Sequence, residues 1–138
     1  MTPQQRGARH EERPRLVIAD DDAIVRRMLT AKLRRCFDLV GVAEDAVGAV
    51  DIAVGQLPDV VLLDVQMPGG GGLWATRRIA ELAPATAVVV LSGDESHESV
   101  IEFMNVGAVT YLRKGIADEL LTQRLHESIR AHRRLTGY

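Results

Sequence analysis

The stretch LVIADDD at residues 16–22 and the stretch VVLLD at residues 60–64 decide the fold that this sequence predicts. Each is a short apolar run that ends in aspartate, which is typical of a buried strand followed by a polar loop. In a parallel sheet all strands end along one edge, where open α/β folds bind ligands. Carboxylates that converge there repel one another unless a cation lies between them, and such oxygen ligands suit Mg²⁺. The acids concerned are Asp20, Asp21, Asp22 and Asp64.

Strand-like and helix-like segments alternate five times around these two stretches. This alternation predicts βαβ units with right-handed crossovers, and a parallel sheet covered by helices on both faces. The predicted strands are residues 15–19, 39–43, 60–63, 87–91 and 110–113. The predicted helices are residues 23–36, 47–55, 73–82, 97–106 and 117–135.

The first predicted helix has an apolar side and a basic side. We expect the apolar side to face the sheet and the arginines to be mainly exposed. The apolar side comprises Ile24, Val25, Met28, Leu29, Leu33 and Cys36, and the arginines are Arg26, Arg27, Arg34 and Arg35.

Composition and charge narrow the class of protein. The chain has 138 residues, of which 46% are hydrophobic and 26% charged, as in an ordinary globular domain. The net charge of −2 favours neither nucleic acid nor an anionic membrane as a partner, and the apolar runs are too short to span a bilayer. The single Cys36 cannot form an internal disulfide, which fits the cytoplasm. We expect residues 1–13 to form a disordered tail and residues 14–135 to form one domain.

Two further polar residues follow the fourth and fifth predicted strands, Ser92 and Lys114. A sheet edge that combines acids, a hydroxyl and an ammonium group can bind a cation and neutralise the charge of a phosphoryl group. An aspartate carboxylate can also attack phosphorus and form an acyl phosphate. The sequence therefore points to phosphoryl chemistry at this edge.

These residues, in this order, resemble the receiver domains of two-component response regulators over residues 15–132. The matching residues are Asp20 and Asp21, Asp64 with the triplet MPG at residues 67–69, Ser92 and Lys114. The resemblance implies a flavodoxin-like, doubly wound parallel sheet of five strands in the order 2-1-3-4-5, with five helices.

The resemblance also implies a role for each site residue. Asp64 would accept a phosphoryl group from a phosphohistidine of a sensor histidine kinase or of a histidine phosphotransfer protein. The chain would thus not be an enzyme, but a phosphoacceptor that assists its own phosphorylation and dephosphorylation. Mg²⁺ would be bound directly by Asp21, mainly through water by Asp20, and also by Asp64 and the backbone carbonyl of Gln66.

Two residues are implied to transmit the phosphorylation. Ser92 and Lys114 would contact phosphoryl oxygens, and Ser92 and Tyr111 would form a switch. The switch would change a surface made by the fourth helix, the fifth strand and the fifth helix, where an output domain or a dimer partner could bind.

Three features of the sequence need separate interpretation. Gly115 stands where the family usually has proline, and glycine can still make the turn. The segment PGGGG at residues 68–72 predicts a mobile loop. For Asp22 we favour capping of the first helix over contact with the metal.

Other classes of protein fit the sequence less well. An aspartyl phosphatase of the haloacid-dehalogenase kind needs a second aspartate two residues after the nucleophile, where this chain has Gln66. No G-x-G-x-x-G motif follows the first strand, and the glycine run lacks the Lys-Ser/Thr ending of a P-loop. An interaction module that keeps the fold without being phosphorylated remains the alternative. The sequence also leaves open whether the domain works alone or within a longer protein.

Overall fold

The computed structural model describes residues 13–69, 71–93 and 96–138. Within these residues, five parallel strands form one sheet in the order β2-β1-β3-β4-β5. The strands are β1 (Arg15–Ala19), β2 (Asp38–Ala43), β3 (Val60–Asp64), β4 (Ala87–Ser92) and β5 (Thr110–Arg113). The helices are α1 (Ala23–Leu33), α2 (Ala46–Gln56), α3 (Gly71–Leu82), α4 (His97–Asn105) and α5 (Asp118–Thr136). The predicted fold class, strand order and number of helices are confirmed.

The sheet separates two apolar cores. On one face α1 and α5 pack over the side chains of Leu16, Ile18 and Leu62. On the other face α2, α3 and α4 cover side chains that include Val17 and Val61. Alternate residues of each strand supply the two cores, so the strands are apolar almost throughout, as the sequence predicted.

The predicted end of the first helix is wrong by one turn, because α1 ends at Leu33 and residues 34–36 form a turn. The chain leaves the helix here to bury Phe37, whose side chain is 1% exposed. The ring of Phe37 stacks on His126 of α5 at a centroid distance of 4.7 Å. The guanidinium of Arg13 donates to the carbonyl oxygens of Arg34 and Phe37, and so binds carbonyls at this turn.

His126 should make stability depend on pH. Burial, and to a lesser extent the charge of Arg130, lowers the pKa of His126 below its ordinary value. The unfolded chain therefore takes up a proton near pH 6.5, where the folded protein still keeps His126 neutral. We expect the free energy of unfolding to fall as the pH drops below about 6.5.

Urea denaturation between pH 8 and pH 5 would measure this dependence for wild type and for His126→Gln. The substitution should reduce the loss of stability at acid pH, whereas His97→Gln at the exposed start of α4 should keep it. An unchanged pH dependence in His126→Gln would show that other groups are responsible.

In the described part of the chain, side-chain caps fix the start of three helices. Asp22 accepts from the amides of Ile24 and Val25 at the start of α1. Asp45 caps α2 and Ser96 caps α4 in the same manner. The interpretation of Asp22 as a capping residue is therefore confirmed, and α1 starts directly beside the end of β1.

Among the described residues, no helix combines the length and the apolar character needed to cross a bilayer.

Candidate functional site

Three acidic residues come together at the carboxyl edge of the sheet. Asp20 directly follows β1, and Asp64 is the last residue of the neighbouring strand β3. One carboxylate oxygen from each of Asp20, Asp21 and Asp64 lies within 4.8 Å of the others. Asp20 and Asp64 are buried, whereas Asp21 is exposed. We call these three residues the acidic cluster.

Asp20 offers one unused ligand atom. Its Oδ1 accepts a hydrogen bond of 2.9 Å from the amide of Asp22. Its Oδ2 is buried and, within the described part of the chain, accepts no hydrogen bond. Burial raises the pKa of Asp20, the amide of Asp22 opposes this shift, and the charge of Asp64 adds to it. Such an atom suits contact with a cation, which would offset its desolvation.

Lys114 reaches the acidic cluster from the loop after β5. Its Nζ lies 2.8 Å from Oδ1 of Asp64, and the contact is an ion pair and not a well-aligned hydrogen bond. Burial alone would lower the pKa of Lys114, but Asp64, with smaller contributions from Asp20 and Asp21, raises it above the ordinary value. Lys114 therefore carries a positive charge at neutral pH.

Ser92 lies at the carboxyl end of β4, one residue beyond Leu91, which pairs with Asp64. The residue is 2% exposed. Its carbonyl accepts a hydrogen bond of 2.9 Å from the amide of Lys114. The backbone of Ser92 thus fixes the start of the loop that carries the lysine, next to the strand that carries Asp64.

The donor set of the acidic cluster fits Mg²⁺. The fit rests on the buried, unpartnered Oδ2 of Asp20 and on the convergence of three carboxylates, since hard divalent cations take oxygen ligands. Gln66 is exposed on the loop two residues after Asp64, and its role as a ligand through the carbonyl stays a prediction.

Tyr111 of β5 contacts α4. Its hydroxyl lies 2.9 Å from the hydroxyl of Ser99, and its ring contacts Phe103 edge to face at a centroid distance of 5.8 Å. The ring is partly buried. Ser99 was missed in the sequence analysis, because no spacing or composition signal identifies a serine that will face a tyrosine from another element.

Arg26 was also missed, and the expectation that it is mainly exposed is wrong. Its side chain is 19% exposed, and its Nη1 donates a hydrogen bond of 2.8 Å to the carbonyl of Asp20. Within the same helix the burial of Ile24 and Met28 was predicted wrongly too, since these side chains are 69% and 50% exposed. Helical periodicity predicts on which side of the helix a residue lies. It does not predict which residues of other elements cover that side chain.

The glycine run does not form one continuous loop. Helix α3 begins at Gly71, so the prediction of a loop through Gly72 is wrong for its last two residues, whereas Gly70 lies outside the described residues. A Cβ atom on Gly72 would stand 2.8 Å from the carbonyl oxygen of Asp64 and 2.6 Å from that of Val65. Close approach of α3 to the end of β3 therefore requires a glycine here.

Gly115 has a φ of 87°, a left-handed conformation that side chains rarely adopt. The expectation that glycine makes the turn after Lys114 is confirmed. The predicted tail at residues 1–13 lies outside the described residues, except for Arg13.

A doubly wound parallel sheet with acids and a lysine at its carboxyl edge defines a class of signalling domain, and comparison with known proteins agrees. Residues 16–126 match the family model of the response regulator receiver domain. The chain belongs to this family.

Two bacterial relatives contain this domain within a longer protein. The chain is 38% identical, over 82% of its length, to the protein-glutamate methylesterase/protein-glutamine glutaminase 5 of Myxococcus xanthus. It is 34% identical, over 82% of its length, to the response regulator GacA of Pseudomonas aeruginosa. The chain spans 33% of the first relative and 54% of the second.

A solved structure gives the same fold. The signal receiver domain of NarL from Mycobacterium tuberculosis superposes with a TM-score of 0.83 at 26% identity. The match covers 86% of this chain and 98% of that domain.

Proposed function

We propose that the protein is a two-component receiver in which Asp64 accepts a phosphoryl group from a phosphohistidine. A carboxylate oxygen of Asp64 attacks phosphorus, the N–P bond of the donor breaks, and the imidazole leaves as the new O–P bond forms. The observation that carries the proposal is the placement of Asp64, with the other two acids of the cluster within 4.8 Å and the ammonium of Lys114 at 2.8 Å.

Lys114 stabilises the charge that the transferred group brings. Its Nζ already lies at Asp64 and its raised pKa keeps it protonated, so the positive charge is present before the reaction begins. Asp20, Asp21 and Asp64 would hold Mg²⁺, with the backbone carbonyl of Gln66 as a further ligand. When bound, the ion would neutralise negative charge on the phosphoryl oxygens.

Ser92 and Tyr111 are proposed to transmit the phosphorylation of Asp64 to the surface of the domain. Ser92 lies beside Asp64 at the end of β4, where its hydroxyl would bond to a phosphoryl oxygen. Displacement of this hydroxyl would leave room for the ring of Tyr111, which the contact with Ser99 joins to α4. The surface of α4, β5 and α5 would thereby shift between two states.

This switching surface has the features of a protein contact site. Ile101 and Met104 of α4 are 56% and 43% exposed, and a cavity of about 600 Å³ lies beside β5 and α5. We propose that it binds an output domain or a second copy of the domain.

The phosphoryl donor is proposed to approach from the side of α1. An apolar cavity of about 210 Å³ opens there, and Asp20 and Lys114 stand at its wall together with Met28 and Ile116. A sensor histidine kinase or a histidine phosphotransfer protein that buried Met28 would place its phosphohistidine near Asp64. A cytoplasmic location is part of this proposal.

Intact mass after incubation with acetyl phosphate and Mg²⁺ tests the function. We expect wild type to gain the mass of one phosphoryl group, and expect Asp64→Asn and an EDTA-treated sample to gain none. An equal gain in Asp64→Asn would place the modification elsewhere. No gain with any small phosphodonor or with a phosphorylated histidine phosphotransfer protein would favour an interaction module that works without phosphorylation.

A further inference from the structure

Arg26 joins three segments around the acidic cluster. It stands on the first turn of α1, and its Nη1 donates a hydrogen bond of 2.8 Å to the carbonyl of Asp20. Its Nη2 lies 3.8 Å from Oε2 of Glu44, in the turn between β2 and α2. The side chain of Arg26 is only 19% exposed, so most of it is shielded from water.

Asp20 is held at three of its polar atoms. Its amide donates to the carbonyl of Ala43 at 3.1 Å, and its Oδ1 accepts from the amide of Asp22 at 2.9 Å. Its carbonyl accepts from Arg26, which is the one side chain among these three partners. Of the four polar atoms of Asp20, Oδ2 is the one that has no hydrogen-bond partner within the described part of the chain.

We propose that Arg26 is a positioning residue for the cation site, which fixes Asp20 so that Oδ2 is presented before a cation arrives. The inference rests on the proposed function, because it assumes that the acidic cluster binds Mg²⁺. At the acidic cluster Arg26 binds the backbone carbonyl of Asp20 and none of the three carboxylates, so its charge lies near the cluster without occupying a ligand atom. A planar guanidinium suits this role, because it can contact Asp20 and Glu44 at once.

The positive charge of Arg26 weakens cation binding, whereas its hydrogen bond to Asp20 strengthens it. A positive charge near the cluster repels Mg²⁺, so loss of the charge alone would strengthen binding. Loss of the hydrogen bond would let Asp20 reorient and would weaken binding. Groups that orient metal ligands typically change metal affinity by about tenfold or more when they are removed.

Calorimetric titration of the full chain with Mg²⁺ separates these effects. We expect about tenfold weaker binding in Arg26→Gln, and weaker binding also in Arg26→Lys, which keeps the charge but lacks the planar fork. The matched control is Arg27→Gln, which removes the same charge from the adjacent, exposed position of α1. We expect this control to bind Mg²⁺ at least as tightly as wild type.

Binding in Arg26→Gln that equals or exceeds that of Arg27→Gln would overturn the inference, and would leave the proposed function intact if wild type binds. Absence of Mg²⁺ binding by wild type would overturn both. Urea denaturation in EDTA identifies variants that fail to fold. If Arg26→Gln does not fold, the Mg²⁺ affinity of Arg26→Lys alone tests the positioning role. Wild-type affinity in Arg26→Lys would then contradict the positioning role.

Discussion

Replacement of Gly72 by alanine is expected to lower the free energy of unfolding by about 1–3 kcal/mol and to slow phosphorylation of Asp64. The new Cβ would stand less than 3 Å from the carbonyl oxygens of Asp64 and Val65. Backbone atoms cannot rotate away as a side chain can, so either α3 or the end of β3 must move. Because β3 ends in Asp64 itself, the movement reaches the proposed phosphoacceptor.

Gly55→Ala is the matched control for Gly72→Ala. Gly55 lies near the end of α2, and a Cβ there meets nothing within 4 Å. We expect alanine at this position to raise the free energy of unfolding by about 0.5–1 kcal/mol, since glycine is a poor helix former. Urea denaturation gives both stabilities, and mass spectrometry over time gives the phosphorylation rates. A Gly72→Ala protein as stable and as reactive as wild type would show that this close approach is not required.

Replacement of Asp20 by asparagine should have two opposite effects. Mg²⁺ binding should be lost, because the buried oxygen ligand becomes part of a neutral amide. The metal-free protein should become more stable by about 1–3 kcal/mol, because the substitution removes a buried negative charge next to Asp64 whose Oδ2 accepts no hydrogen bond. The amide could in addition donate a hydrogen bond to the carboxylate of Asp64.

Asp21→Asn is the control for the combined loss of Mg²⁺ binding and gain in stability that we expect in Asp20→Asn. Asp21 belongs to the same acidic cluster but is exposed, so water already solvates its charge. We expect weaker Mg²⁺ binding with a smaller gain in stability than in Asp20→Asn. Urea denaturation in EDTA measures the difference, and an Asp20→Asn protein less stable than wild type would contradict the interpretation.

Most of the sheet could be predicted from local sequence, because both faces of the central strands are buried. A run such as VVLL at residues 60–63 can only be a strand or a buried helix segment, and its length and its flanking polar residues decide between them. The convergence of Asp20 and Asp64 then follows from topology alone, since parallel strands end at one edge. Strand ends are therefore the part of the candidate site that sequence reasoning finds most easily.

The contacts of Arg26 and Ser99 could not be predicted in this way. Each depends on the distance between two elements that are remote in sequence, Arg26 to Glu44 and Ser99 to Tyr111. Such distances follow from how tightly helices pack on the sheet, which no residue pattern encodes locally. The start of α3 at Gly71 was missed for a related reason, because glycine propensity argues against a helix that tertiary packing imposes.

Under the proposed switch, the hydrogen bond between Ser99 and Tyr111 would affect the balance between the two conformations of the domain. A bond of this kind contributes about 1 kcal/mol net, which corresponds to roughly a fivefold ratio of populations. Any rearrangement that moves the tyrosine ring away from α4 loses this free energy, and new contacts must compensate for the loss. In the proposed switch, Ser99 would therefore set how often the unphosphorylated domain adopts its second conformation.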